Sequence, residues 1–295
     1  MKIAFKVDVD TCAGACVGVA NLCKLFSENS IEASLFFALG EDEMGKSLKR
    51  IFQKGFLKKC LKSNVVGNYS LKSLLQGVLL PAPVISEKCA DVIKRVAMSG
   101  FECGIHSWSH YKWQNYLQKM SAEEIQTDFV KAKTVLNLLA DKQCDCCASA
   151  GWQISEAYLE AQQKFGMRYA SDTRGKYPFL PRMNGKVFSV MQIPTTLATL
   201  DEFLCENKIE TATDYYLQQM KSVDVSVMTI HAELEGMAYL QWFSQFLQKL
   251  KDCDVEFVSL KNYAQNLSDN VKLPVCDLKM LSFENRGGLI ATQII

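Results

Sequence analysis

Histidine is almost missing from this chain, with three occurrences in 295 residues. Long apolar runs are missing too. No stretch of 18 apolar residues occurs, so no membrane-spanning helix is expected. The longest candidate, residues 71–85, is broken by Pro81 and Pro83. The formal net charge is only +1, which leaves no global attraction to nucleic acid. Two lysines and two aspartates within the first ten residues argue against a secretory signal peptide. Without an export signal the expected compartment is reducing, so the 12 cysteines read as thiols. Cys144-Asp-Cys146-Cys147 lacks a second cysteine pair at zinc-ribbon spacing, and Cys12 and Cys16 read as small apolar fillers.

What is present is ordinary for a soluble chain with an ample core: 48% of residues are apolar. The three histidines are not spread evenly. Two of them, His106 and His110, stand four residues apart in Gly-Ile-His-Ser-Trp-Ser-His, a spacing that puts two imidazoles on one side of a helical turn. Such a pair alone is a common coincidence. Two neutral nitrogens also leave a divalent metal short of charge, so a carboxylate is needed. The apolar segment that opens the chain ends in Asp8-Val-Asp10. Strand alternation sends Asp8 and Asp10 to the same side, one to bind metal while the other handles a proton. His231 closes another apolar run, residues 225–231. All these residues fall at the ends of strand-like segments, where sites collect in parallel sheets.

Elsewhere the chain alternates strand and helix signals. Strands are expected over 3–10, 32–39, 101–105, 146–150, 167–171, 187–193, 223–230 and 256–260. Helices are expected over 87–99, 121–139 (opened by the capping box Ser121-Ala-Glu-Glu124), 155–165, 211–221, 239–251 and 261–267. Seven or eight β–α units without a composition break favour one α/β parallel barrel or doubly wound sheet over two domains. One segment, about residues 44–86, breaks the rhythm. It holds no acidic residue between Met44 and Ser86, while Lys46, Lys49, Arg50, Lys54, Lys58, Lys59 and Lys62 interleave with leucines and phenylalanines. A basic amphipathic helical insertion of this kind suits an anionic membrane surface, each surface lysine or arginine contributing about 1 kcal/mol. The same pattern also fits a solvated lysine face over a leucine-covered barrel. Aromatic residues are too sparse there for nucleic-acid stacking.

Six segments in order, Asp8-Val-Asp10-Thr, His106-Ser-Trp-Ser-His110, Ala148-Ser-Ala-Gly151-Trp152, Tyr169-Ala-Ser-Asp172-Thr-Arg174-Gly175, Gln192-Ile-Pro194-Thr and Thr229-Ile-His231-Ala-Glu233, resemble the motifs of the polysaccharide deacetylase (NodB-homology) superfamily. Within it the chain is most similar to the branch of 4-deoxy-4-formamido-L-arabinose-phosphoundecaprenol deformylases. The resemblance implies a distorted (β/α) barrel of about seven parallel strands over residues 1–268, with a tail, 269–295, packing on it or extending from it. It also implies hydrolysis of an N-acyl group from an amino sugar. By motif position Asp10, His106 and His110 would bind one divalent metal, zinc by default, with manganese, cobalt, nickel or iron also suited to the set. Asp8 would be the general base and His231 the general acid. Trp152, Asp172, Arg174 and Glu233 are candidates for contacting the sugar or bracing the ligands.

Two departures stand out. The family motif at Gly151-Trp152 ordinarily continues with an arginine that orients the base. Here it is Gln153, so Arg174 or another cation must substitute or Asp8 is tuned differently. Ala13 and Cys16 also stand where the similar deformylases carry arginines. The resemblance therefore implies an undecaprenyl-phosphate-linked formamido-arabinose as substrate, in the lipid A modification that confers polymyxin resistance. It places the chain as a peripheral protein on the cytoplasmic face of the bacterial inner membrane, with no nucleic-acid and no obligate protein partner. N-deacetylation of a polyprenyl-phosphate hexosamine or of a soluble chitooligosaccharide or peptidoglycan would use the same centre. A non-catalytic binding member of the fold is the remaining alternative.

Overall fold

The structure is a computed structural model that describes residues 1–43, 45–46, 81–270, 272–283 and 285–295. Nearly all of the basic segment therefore lies outside the described residues, including Lys49, Arg50, Lys54, Lys58, Lys59 and Lys62.

The organising strand is β1 (Lys2–Val9), buried on both faces after its first residue. Its alternation sorts two layers. Ile3, Phe5, Val7 and Val9 join the large outer core beneath the helices, while Ala4 belongs to a separate inner cluster with Phe36, Tyr169, Met191, Ile193 and Val227. Lys6 and Asp8 share the inward parity of Ala4, so the polar pair stands beyond an apolar plug.

Around β1 the other strands run parallel: β2 (Ser34–Ala38), β3 (Glu102–Ser107), β4 (Cys146–Cys147), β5 (Tyr169–Ala170), β8 (Met191–Gln192) and β9 (Val225–His231). Their order is β9-β1-β2-β3-β4-β5-β8. The last gap is bridged by the loop after β8, where the Thr196 and Leu197 amides donate to the Val227 carbonyl at 3.0 and 3.3 Å. The result is an α/β, distorted (β/α) barrel of seven parallel strands. An eighth, β10 (Glu256–Phe257), pairs with Lys2 and Ile3 of β1. Gly104 is required inside, because a Cβ there would stand 2.4 Å from the Phe36 ring.

Helices α1 (Val19–Glu28), α2 (Ala90–Met98), α3 (His110–Tyr116), α4 (Ala122–Ala140), α5 (Glu156–Lys164), α6 (Leu200–Leu204), α7 (Ala212–Gln219), α8 (Leu240–Asp252) and α9 (Leu260–Asn270) follow the strands. The expected capping box at Ser121 and Glu124 is present and starts α4. The expected strand 187–193 is instead two pieces. Asn184 and Gly185 both take positive φ (52° and 81°), the Asn-Gly signature of a tight hairpin turn. That turn folds β6 (Leu180–Met183) onto β7 (Lys186–Val187), and β8 begins only at Met191. β6 also runs beside the carboxyl-terminal hairpin of β11 (Val275–Ser282) and β12 (Leu289–Ile294), giving a second sheet in the order β12-β11-β6-β7.

Candidate active site

Three strand ends bring the site together. Asp10 follows β1, His106 lies near the end of β3, and His231 is the last residue of β9, directly paired with Asp8 in the β1–β9 register. His106 and His110 are not on one helical turn, as their spacing suggested. His106 is still in the strand. The chain then turns at Ser109, whose hydroxyl accepts the Lys112 amide and caps α3, so His110 is that helix's first residue. The turn nevertheless stacks the two rings, with centroids 5.3 Å apart.

The Asp10 carboxylate reaches both imidazoles. Its Oδ1 lies 3.2 Å from His106 Nε2 and its Oδ2 lies 3.4 Å from His110 Nε2. One atom from each of Asp10, His106 and His110 falls within 4.8 Å of the other two, the arrangement a single ion would need. Two further signs fit a metal. Asp10 Oδ1 is buried without a hydrogen-bond partner among the described residues, and buried polar groups are rarely left so. Burial would raise the Asp10 carboxyl, but His110 and His106 outweigh it and hold the group below the usual carboxylate range. Burial takes His110 down to about 4, leaving a neutral imidazole with a free lone pair.

Asp8 is 3% exposed, with its Oδ1 3.9 Å from His106 Nδ1 and its Oδ2 3.4 Å from Lys6 Nζ. Lys6 escaped the sequence reading, although a lysine two positions before Asp8 in an inward row was a usable signal. Arg174, one proposed stand-in for the missing arginine, is engaged elsewhere. It donates to Glu202 at 2.8 Å, and Gln153 reaches out to the Leu289 carbonyl. The cation beside Asp8 is Lys6.

Across the site, His231 Nδ1 lies 3.9 Å from Asp201 Oδ1, a residue the sequence did not single out. Burial lowers the His231 imidazole, but the carboxylates of Asp201, Asp10 and Asp8 outweigh it and lift the group to about 9. Glu233 Oε1 accepts the amides of Asp10 and Thr11 and the Thr11 hydroxyl, at 2.8–3.0 Å, and so fixes the loop that carries the ligand. Asp172 is wholly buried. It accepts from the Ser149 amide, Tyr158, Gln162 and Gln192, an internal brace with no route to a sugar. Trp152, at a positive φ of 53°, offers its ring to Lys6, Arg174 and Arg286 at 5.0, 5.2 and 4.2 Å. Lys46 forms a close ion pair with Glu43, whose other oxygen accepts from Ser109, so this one member of the basic segment is tied to the site's rim. All eleven cysteines among the described residues carry free thiols.

The model of the polysaccharide deacetylase family matches residues 13–170. The probable 4-deoxy-4-formamido-L-arabinose-phosphoundecaprenol deformylase of Shewanella sediminis is 34% identical over 295 residues, covering 99% of this chain and 94% of its own. The protein of the same name from Wigglesworthia glossinidia brevipalpis is 31% identical, covering 95% of this chain and 98% of its own. Among solved structures, a putative polysaccharide deacetylase from Mycobacterium smegmatis superposes with a TM-score of 0.64 at 13% identity, over 96% of this chain and 94% of that one.

Proposed function

The chain belongs to the polysaccharide deacetylase family, and from there we propose that it is a metal-dependent amide hydrolase that removes the N-formyl group of undecaprenyl-phosphate-linked 4-deoxy-4-formamido-L-arabinose. The observation that carries the reading is the meeting of Asp10, His106 and His110 from separate segments, with Asp8 and His231 on adjacent, register-paired strands beside them. The choice of formyl group and sugar draws on the printed names of the two relatives. The lipid-A pathway and polymyxin resistance follow from that choice.

Asp10, His106 and His110 would hold the ion, which when bound lowers the pKa of water and polarises the amide carbonyl. Asp8 Oδ1 has no hydrogen-bond partner among the described residues, so it is free to take a proton from the attacking water. As the water oxygen bonds to the formyl carbon, the carbon–nitrogen bond must break. An amide anion leaves poorly, so the nitrogen has to be protonated. His231, held protonated near neutral pH by Asp201 and its neighbours, donates that proton. The products are formate and a free sugar amine.

A cavity of about 190 Å³ is lined by Arg174, Arg286, Glu202, Phe203, Tyr215 and Phe283. Asp201, next to Glu202, faces His231. Glu202 pairs with both guanidiniums, at 2.8 and 3.0 Å, which leaves a net single positive charge among aromatic rings; that suits a phosphodiester followed by a prenyl chain better than an uncharged oligosaccharide. No described helix is long and apolar enough to cross a membrane. Contact with the anionic membrane surface, on the cytoplasmic face of the inner membrane, is assigned to the basic segment on its run of lysines and arginine without an acidic residue. The test is incubation with undecaprenyl-phosphate-linked formamido-arabinose and, separately, with an N-acetylated polyprenyl-phosphate hexosamine, reading product masses. Formate release from the first alone supports the proposal. Acetate release from the second alone replaces it with a deacetylase.

A further inference from the structure

Lys6 stands beside the site, 0% exposed inside the barrel. Isolated burial of an ammonium costs several kcal/mol, so a lysine in a barrel interior needs partners. Four groups surround this one. The Ser171 carbonyl accepts from Nζ at 3.0 Å on the far side of the barrel, and Asp8 Oδ2 lies at 3.4 Å. The Trp152 and Phe36 rings lie 5.0 and 5.9 Å from Nζ. A methionine or leucine would fill the same volume without the desolvation cost, so packing does not explain the charge.

We infer that Lys6 is a positioning residue for the reaction: pinned by Ser171 and Trp152, it holds one oxygen of the Asp8 carboxylate so that the other is presented to the reacting water. The unequal treatment of the two oxygens supports this. Oδ2 is taken by Lys6, while Oδ1, buried, has no hydrogen-bond partner among the described residues and looks toward His106. Without the ammonium, the carboxylate is free to rotate about its side-chain bonds and to turn Oδ2 toward the histidines. The inference rests on the reading of Asp8 as the base.

The test uses metal-loaded full-length protein with Lys6→Met, Lys6→Gln, Lys6→Arg, Asp8→Asn and the Asp8→Asn/Lys6→Met double variant. Metal stoichiometry, KM and kcat are measured for each. Lys6→Met is expected to keep its metal and its KM while kcat falls by about 10- to 100-fold, the usual effect of removing a group that orients a catalytic one. Lys6→Arg is expected to recover most of the loss. In the Asp8→Asn background the lysine change should cost nothing further, because the carboxylate it serves is gone. A kcat for Lys6→Met within about threefold of wild type, loss of metal, or a full additional loss in the double variant would each overturn the inference. Should Lys6→Met fail to fold, Lys6→Gln, which can still donate to Ser171, carries the same readouts. If Asp8→Asn itself turns over normally, the base assignment fails with it. If Asp8→Asn is inactive while Lys6→Met is not, only the role of Lys6 fails.

Discussion

Asp8 and Asp10 differ by two positions and by everything around them. Asp10 faces two imidazoles, and Asp8 faces an ammonium and one imidazole edge. Substitution should separate them. Asp10→Ala and His106→Ala are expected to lose both bound metal and turnover. Asp8→Asn should keep the metal and lose about 10²- to 10⁴-fold in kcat, as measured by metal analysis beside steady-state kinetics. His231 supplies a second check. It must be protonated to act as the acid, so activity should fall as pH rises through its elevated value of about 9. Asp201 contributes to that elevation, so Asp201→Asn should move the alkaline limb of the kcat profile downward by about one pH unit. An unmoved limb would detach Asp201 from the acid. The aspartates and histidines were legible because rare residue types clustered at strand ends. Asp201 was not, and Lys6 was legible only by its parity with Asp8. A lysine in an apolar run ordinarily marks a solvent edge, and an aspartate in a helix's first turn ordinarily marks the helix dipole. Closing of the barrel buries the first and sets the second against His231.

Among the elements, two irregular turns set the site's geometry. π-helical turns at Gly14–Gly18 and Leu234–Ala238 follow β1 and β9, the strands that carry Asp8 and His231. They touch backbone to backbone. A Cβ on Gly18 would lie 1.9 Å from the Ala232 carbonyl, and one on Gly236 would lie 2.7 Å from Gly18 Cα. Gly18→Ala is therefore expected to destabilise the fold by about 1–3 kcal/mol and to lower kcat by forcing the two loops apart, read by thermal melting and kinetics together. The α4 cap provides a contrast far from this seam. Ser121→Ala should cost about 1 kcal/mol in the same melt and leave kcat unchanged. Helices with clear caps and periodic apolar faces were readable in advance. Strands such as β4, β5 and β8, two residues each, were overcalled, because buried apolar residues extend beyond the paired ones. Asn184-Gly185 marks the hairpin that takes Val187 away from β8.

At the scale of the whole molecule, charge is the feature that composition hides. The chain is nearly neutral, yet residues 44–86 hold eight of its 33 lysines and arginines and no acidic residue. Binding to anionic vesicles at low salt is expected in flotation. It should be released at high salt and abolished when Lys49, Arg50, Lys54, Lys58, Lys59 and Lys62 are changed to glutamine. Flotation that survives the glutamine changes would place the lipid contact elsewhere.

The barrel is also lopsided. β1, β9 and β3 run for eight, seven and six residues and carry Asp8, His231 and His106, whereas β4, β5 and β8 manage two apiece. Short ladders exchange their amide protons through small openings, and long ones only through large ones. Deuterium should therefore enter the wall of short strands well before it reaches the wall of long ones. Opening on that flank, around Trp152 and Arg174, would leave Asp8, His106 and His231 in register.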